Sequence, residues 1–188
     1  MSLTNLKTIV EALLFVSDCP MSPEDLLGAF ETNEVNLDEL KDALSELTSE
    51  YSSEDRAFNL KEIAGGYQFR TRPEFSIYAL RLRKKSPSRL SRAAMETLAV
   101  IAYRQPILRA EIEKLRGVDA GGVIKSLMEK DLIRIASRQE NLPGRPILYA
   151  TTAKFLETFD LPSLAALPTL DEINNLSPPE AGSLNKLF

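Results

Sequence analysis

The sequence predicts a mainly α chain with small β-hairpins, an α+β fold built as two tandem winged helix-turn-helix domains. Three observations carry this expectation: an internal repeat, side-chain capping signals ahead of short helices, and a glycine-containing hairpin closing each copy. The repeat emerges when residues 9–30, IVEALLFVSDCPMSPEDLLGAF, are set above residues 95–116, METLAVIAYRQPILRAEIEKLR. At one constant offset Pro20 falls on Pro106, Met21 on Ile107, Leu13 on Ala99 and Leu26 on Ile112. In each copy an apolar helix stops at a proline turn and a second, shorter helix follows.

In the first copy, Leu6, Ile9, Val10, Leu13 and Leu14 recur at helical spacing and define a core-facing stripe. Ser22 is placed to cap the next helix, with Pro23 at its first position and Asp25 reaching back to the cap. Asn36 and Glu39 repeat that signal for a third helix, expected over residues 36–55, with Leu37, Leu40, Leu44 and Leu47 on its buried face. FNLKEIAGGYQFRT then reads as a hairpin around Gly65-Gly66. Its Tyr67 and Phe69 point inward, alternating with Gln68 and Arg70.

The second copy follows element by element. Met95, Leu98, Ile101 and Ala102 line its first helix, Ile112 and Leu115 its second, and Val123, Ile124, Leu127 and Met128 its third. Ile133 and Ile135 flank an outward Arg134 on one strand, and Ile147 and Tyr149 flank Leu148 on the other. The loop between them, ASRQENLPGR, is longer than the first hairpin's. Pro143 presets φ for the second position of a turn, and Gly144 supplies the positive φ that the third position of a type II turn demands. Pro146, lacking a donor, suits the beginning of a strand. Thr151 or Thr152 caps a closing helix in which Phe155, Leu156 and Phe159 return to the core.

This organisation places an N-terminal winged-helix domain at residues 1–80 and a second at 93–160. Between them, residues 81–92 (RLRKKSPSRLSR) form a connector with six basic residues and no acid. PEFSIYALRL just before it has room for an extra helix. Residues 161–188, with Pro162, Pro168, Pro178 and Pro179, read as a docking or partly disordered extension.

Composition narrows the function. The chain has 188 residues, no histidine and one cysteine, Cys19. Without histidine the commonest general base, metal ligand and triad member is missing, and no P-loop, GxGxxG or metal-spaced cluster occurs. The expectation is a protein without enzymatic activity, cofactor or metal. No apolar run reaches the roughly 18–20 residues that span a bilayer. Glu11 interrupts the early apolar stretch and no cleavage site follows, which argues against a signal peptide. The lone cysteine fits a reducing cytoplasm.

Winged helices commonly read DNA, and a DNA-binding transcriptional regulator is the alternative reading. Charge disfavours it: there are 23 basic against 27 acidic residues, net −4. The expected third helix of the first copy carries Asp38, Glu39, Asp42, Glu46, Glu50, Glu54 and Asp55, with Lys41 its sole cation. Phosphates would repel such a surface. Only the basic connector and the second wing, with Arg134, Arg138 and Arg145, favour nucleic acid, so DNA contact is expected to be at most weak and non-specific.

EALLFVSDCPMS, METLAVIAYRQPILRAEIEKLRGVD and LPGRPILYATTAKFLETFDL resemble the segregation and condensation protein B family. With the tandem arrangement, the resemblance extends over most of residues 6–170. It implies a non-enzymatic subunit of bacterial condensin that binds the kleisin, segregation and condensation protein A, and through it the SMC ATPase. A homodimer and a role in chromosome condensation and partitioning during cell division are implied as well. The grooves of a winged helix suit an amphipathic partner helix. Tyr103, Arg104 and Gln105 at the proline turn, with Arg145 on the wing, are the expected kleisin contacts. Dimerisation is expected through the first copy, where Leu3, Phe15 and Val16 lie beyond the core stripe.

Overall fold

The computed structural model describes residues 3–31, 34–53, 55–83, 89–141, 143–169 and 171–172. Residues 84–88 of the basic connector, Glu54, Pro178, Pro179 and the Leu3 side chain lie outside this description. The chain divides into two compact units. The first takes Met1–Ser86 and Asp160–Ala166, the second Pro87–Phe159 and Leu167–Phe188. Each is a winged helix-turn-helix.

In the first unit, α1 (Leu3–Val16), α2 (Pro23–Leu27) and α3 (Leu37–Glu50) precede a hairpin of β1 (Phe58–Ile63) and β2 (Gly66–Thr71). The local signals do what their chemistry allows. Ser22 Oγ accepts from Asp25 N at 3.1 Å while the Asp25 carboxylate accepts from Ser22 N, and Pro23 opens the helix. Asn36 and Glu39 close the same reciprocal box on α3, which leaves fewer amides unpaired at the helix start. Leu6, Val10 and Leu14 of α1 meet Leu26, Leu40, Leu44 and Leu47 in a closed core.

Three local expectations are corrected here. α3 ends at Glu50, not near residue 55, because Tyr51 leaves the helix to stack in the core against Phe58 and Phe69, at ring separations of 5.5 and 4.8 Å. Asp55 is therefore not on the helix. The hairpin turns on Ala64-Gly65, both at positive φ, and Gly66 is already in β2 opposite Ile63. Gly66 has a different constraint: a Cβ there would stand 2.7 Å from the Met21 backbone. Finally Gln68 and Arg70 are as half-buried as Tyr67 and Phe69, because the Gln68 amide donates to Asp18 O at 3.0 Å and Asp160 approaches Arg70 at 3.6 Å.

After a 3₁₀ turn at Pro73–Phe75, α4 (Ser76–Arg83) fills the place where the extra helix was expected. The segment after residue 159 is more than an extension. Leu161 and Pro162 carbonyls accept from the hairpin-turn amides of Ala64 and Gly65 at 2.8 and 2.9 Å, and Asp160 also faces Lys61 at 3.3 Å. Two turn donors that would otherwise face water are thereby satisfied.

The second unit runs α5 (Arg92–Arg104), β3 (Ile107–Leu108), α6 (Arg109–Arg116), α7 (Gly121–Glu129), β4 (Ile133–Arg138), β5 (Ile147–Thr151) and α8 (Ala153–Thr158). Its sheet has three antiparallel strands in the order β3-β5-β4, one more than the expected hairpin. Leu98, Ile101, Ile112, Ile124, Leu127 and Phe155 are its core. Thr152, rather than Thr151, caps α8, accepting from Phe155 N at 3.1 Å.

Three expected core positions are exposed. Leu115 is 56 % accessible because α6 turns Arg116 toward α5 instead. The Arg116 guanidinium donates to Ala93 O at 2.7 Å, Glu96 at 2.8 Å and the Thr97 hydroxyl, and its aliphatic stem lies in the packed layer. Met128 stands just outside the Ile124–Leu127 stripe of α7. Ile135 is exposed because β4 runs out past the helices after Ile133 and bulges between Ile135 and Ser137.

Candidate functional site

The Pro106 turn sits at the C-terminal end of α5, where the helix stops because proline carries no N–H and cannot continue the hydrogen-bond ladder. Tyr103, Arg104 and Gln105 occupy the last turn and cap, and they have three different environments. Tyr103 is 39 % accessible, and its hydroxyl donates to Pro168 O at 2.7 Å. Arg104 is exposed and complements the negative end of the helix. Gln105 is committed internally. Its Oε1 accepts from both the backbone N–H and the hydroxyl of buried Thr151, at 2.7 and 3.0 Å, and its Nε2 donates to Ala102 O at 3.1 Å. It ties the end of α5 to the end of β5.

Arg145 belongs to a different surface. Gly144 has φ +79°, the positive value its place in the turn requires, and Arg145 follows at +43°. Pro146 then precedes β5, and its carbonyl accepts from Gln139 N at 2.9 Å. The wing so formed and the first turn of α6 enclose a groove of about 610 Å³. Leu108, Pro146 and Ile147 line its floor, Arg138 and Arg145 stand on its wing side, and Arg109 and Glu113 on its helix side. None of Tyr103, Arg104 or Gln105 lines it. The expected contact residues are thus divided between the end of α5 and the wing.

Charge is distributed unevenly in this groove. Arg109 donates to Glu113 at 2.7 Å and to Asp119 at 2.6 Å. The Glu113 carboxyl is held below the usual carboxylate range, chiefly by Arg109 and also by the Ala120 N–H, and the Arg109 guanidinium is raised in turn by Glu113. That network is closed on itself. Arg138 and Arg145 have no ion pair or side-chain hydrogen bond among the described residues. The two arginines are legible on the wing from the sequence but the groove is not, because Leu108 and Glu113 reach it from a segment more than twenty residues away.

The first unit has its own features. Phe15 and Val16, at the end of α1, are 77 % and 80 % accessible, an apolar pair beyond the core stripe. On α3, Glu46 and Glu50 face Lys7 at 3.7 and 3.2 Å and Glu39 caps the helix, leaving Asp38 and Asp42 as outward acids. Among the described residues, no helix is long and apolar enough to cross a membrane.

A family model described as segregation and condensation complex subunit ScpB matches residues 8–170. Segregation and condensation protein B of Syntrophotalea carbinolica is 49 % identical, covering 94 % of this chain and 88 % of that one. The protein of the same name from Moorella thermoacetica is 46 % identical over 90 % of this chain and 85 % of its own. A solved dimer of the ScpB N-terminal domain with an ScpA peptide is 32 % identical, covers 43 % of this chain and 96 % of that one, and has a TM-score of 0.38.

Proposed function

Since the chain belongs to the family of segregation and condensation complex subunit ScpB, we propose that it works as a non-enzymatic adaptor which binds the kleisin, segregation and condensation protein A. Through the kleisin it acts with the SMC ATPase in chromosome condensation and partitioning during cell division, in the cytoplasm and at the nucleoid. It functions as a homodimer formed through the first unit.

One observation carries the reading at the level of geometry. The second unit is a winged helix whose wing groove is apolar at the floor and whose α5 end presents a half-open aromatic ring, Tyr103. Apolar grooves and accessible aromatic rings are features that hold protein segments, whereas a duplex reader needs cations along its recognition helix. Here the helix in that position, α7, has Lys125 facing Glu129 at 3.9 Å.

Calorimetry of the full chain with the central region of its cognate kleisin tests the reading. Binding is expected, and Tyr103→Ala weakens it more than Arg145→Ala, because rim charges chiefly set association rate while buried rings carry binding energy. Absence of heat at tens of micromolar removes the adaptor function. Binding that ignores both substitutions keeps the function and moves the site elsewhere.

A further inference from the structure

Resting on the kleisin reading, we propose that the groove between the wing and α6 seats an acidic, aliphatic segment of that partner. Its carboxylates pair with Arg138 and Arg145, and its apolar side chains lie on Leu108, Pro146 and Ile147.

The charge bookkeeping selects the occupant. Four charged side chains line the groove, and Arg109 and Glu113 neutralise one another at 2.7 Å, with Asp119 accepting from the Arg109 Nη2 at 2.6 Å. What remains, without an ion pair or side-chain hydrogen bond among the described residues, is the two guanidiniums of Arg138 and Arg145, on a chain whose net charge is −4. A guanidinium presents a planar fork of donors that matches a carboxylate in two-point fashion, so unpaired arginines beside an apolar floor favour a ligand bearing both acid and hydrocarbon. The volume, about 610 Å³, accommodates a few side chains rather than a whole domain face. It lies within the range of roughly 300–1,000 Å³ typical of ligand clefts.

Backbone geometry aims one of the two cations. Arg145 holds φ +43° directly after Gly144 at +79°, a conformation uncommon for residues with a Cβ. Pro146 on its other side fixes the next φ. The guanidinium consequently starts from a defined point on the wing rather than from a freely rotating loop. Nucleic acid is a poorer match to the same groove. A phosphate backbone gains nothing from the apolar side chains Leu108 and Ile147.

The test uses the full chain and the cognate kleisin. Arg138→Glu together with Arg145→Glu is expected to weaken binding at least tenfold, while Arg138→Lys with Arg145→Lys loses severalfold or less. Neither arginine holds another described side chain, so circular dichroism and melting should be unchanged. Reversing acidic clusters of the kleisin to lysine, one cluster at a time, should identify one whose reversal restores binding to the Glu/Glu protein. A benzophenone attached at Ala110→Cys, on the exposed lip of α6, should cross-link to that same cluster. If the wild-type chain binds and the Glu/Glu variant binds equally well, the groove assignment is overturned and the adaptor function survives. If the wild-type chain does not bind the kleisin, both readings fall together. If an unrelated duplex displaces the kleisin from the wild-type chain but not from the Glu/Glu variant, the groove is a phosphate site and the proposal is wrong.

Discussion

Met21 and Tyr67 exchange two main-chain hydrogen bonds, at 3.0 and 2.8 Å, and form a one-residue bridge across the first unit. Their counterparts in the second unit, Ile107 and Tyr149, face each other in a true strand pair that continues through Leu108 and Leu148. The proline before each, Pro20 or Pro106, lies in the turn that follows a helix and delivers an extended residue to the wing's returning strand. This shared contact is the structural content of the repeat: the wing is bound to the helical layer by backbone as well as by packing.

The contact makes Gly66 intolerant of a side chain. An alanine Cβ would lie 2.7–2.9 Å from Met21 N, C and O, atoms held in place by the bridge. Gly66→Ala is expected to cost about 1–3 kcal/mol as an overpacked site. Gly144→Val meets no atom within 4 Å, so its cost is conformational, about 1–2 kcal/mol for a β-branched residue at φ +79°. Thermal melts of the two full-length variants check both. An unchanged midpoint for Gly144→Val contradicts the turn geometry, and one for Gly66→Ala contradicts the bridge.

Gln105 should behave as a structural residue. Gln105→Ala leaves the Thr151 N–H and hydroxyl, both in a buried residue, without their acceptor. A loss of about 1–3 kcal/mol is expected, read from denaturant midpoints. If stability holds and kleisin binding alone drops, Gln105 is a contact residue and its bonds to Thr151 are dispensable.

Dimerisation is expected to depend on the end of α1. Phe15→Asp with Val16→Asp adds charge to two side chains that touch little within the chain, so the monomer should remain folded. An exposed apolar pair of this kind is a natural partner surface. Light scattering should show the wild type as a dimer and the variant as a monomer. A variant that stays dimeric places the interface elsewhere.

DNA affinity should be weak and lost between low and physiological salt, as counterion release dictates for a few phosphate contacts. On α3, Glu46 and Glu50 are engaged with Lys7 while Asp38 and Asp42 still face outward, so the surface a reader would use is still acidic. A gel-shift series across salt is the measurement. Sequence-selective nanomolar binding at physiological salt would restore the regulator reading.

Acid should weaken the second unit partly through Glu113. Its folded-state carboxyl is depressed by Arg109 and the Ala120 N–H, so its contribution is present above the unfolded value and fades as pH falls through the folded one. Glu113→Gln should therefore lower melting at neutral and alkaline pH and converge with the wild type in acid, which flattens the acid limb of a pH–melting curve. An acid limb as steep as in the wild type would show that other groups set it.

What the sequence determined by itself is everything written within three or four residues. The caps at Ser22 and Asn36, the proline turns and the positive φ at Gly144 were legible because each is fixed by neighbours along the chain, and the repeat because one constant offset aligns its two copies, whereas the choice of Thr152 over Thr151 was left to the fold. Tertiary structure decided what depends on groups brought together from afar. Arg116 displaced Leu115 from the α5 face because Ala93 O and Glu96 were there to receive its donors. Tyr51 left its helix for Phe58 and Phe69. Asp160–Ala166 became part of the first unit because the Ala64 and Gly65 amides needed acceptors. The wing groove arose only once α6 and β5 were adjacent, and its unpaired arginines became visible when Glu113 and Asp119 had already claimed Arg109. Hydrogen-bond satisfaction and close packing are properties of the whole fold, and a linear pattern does not contain them.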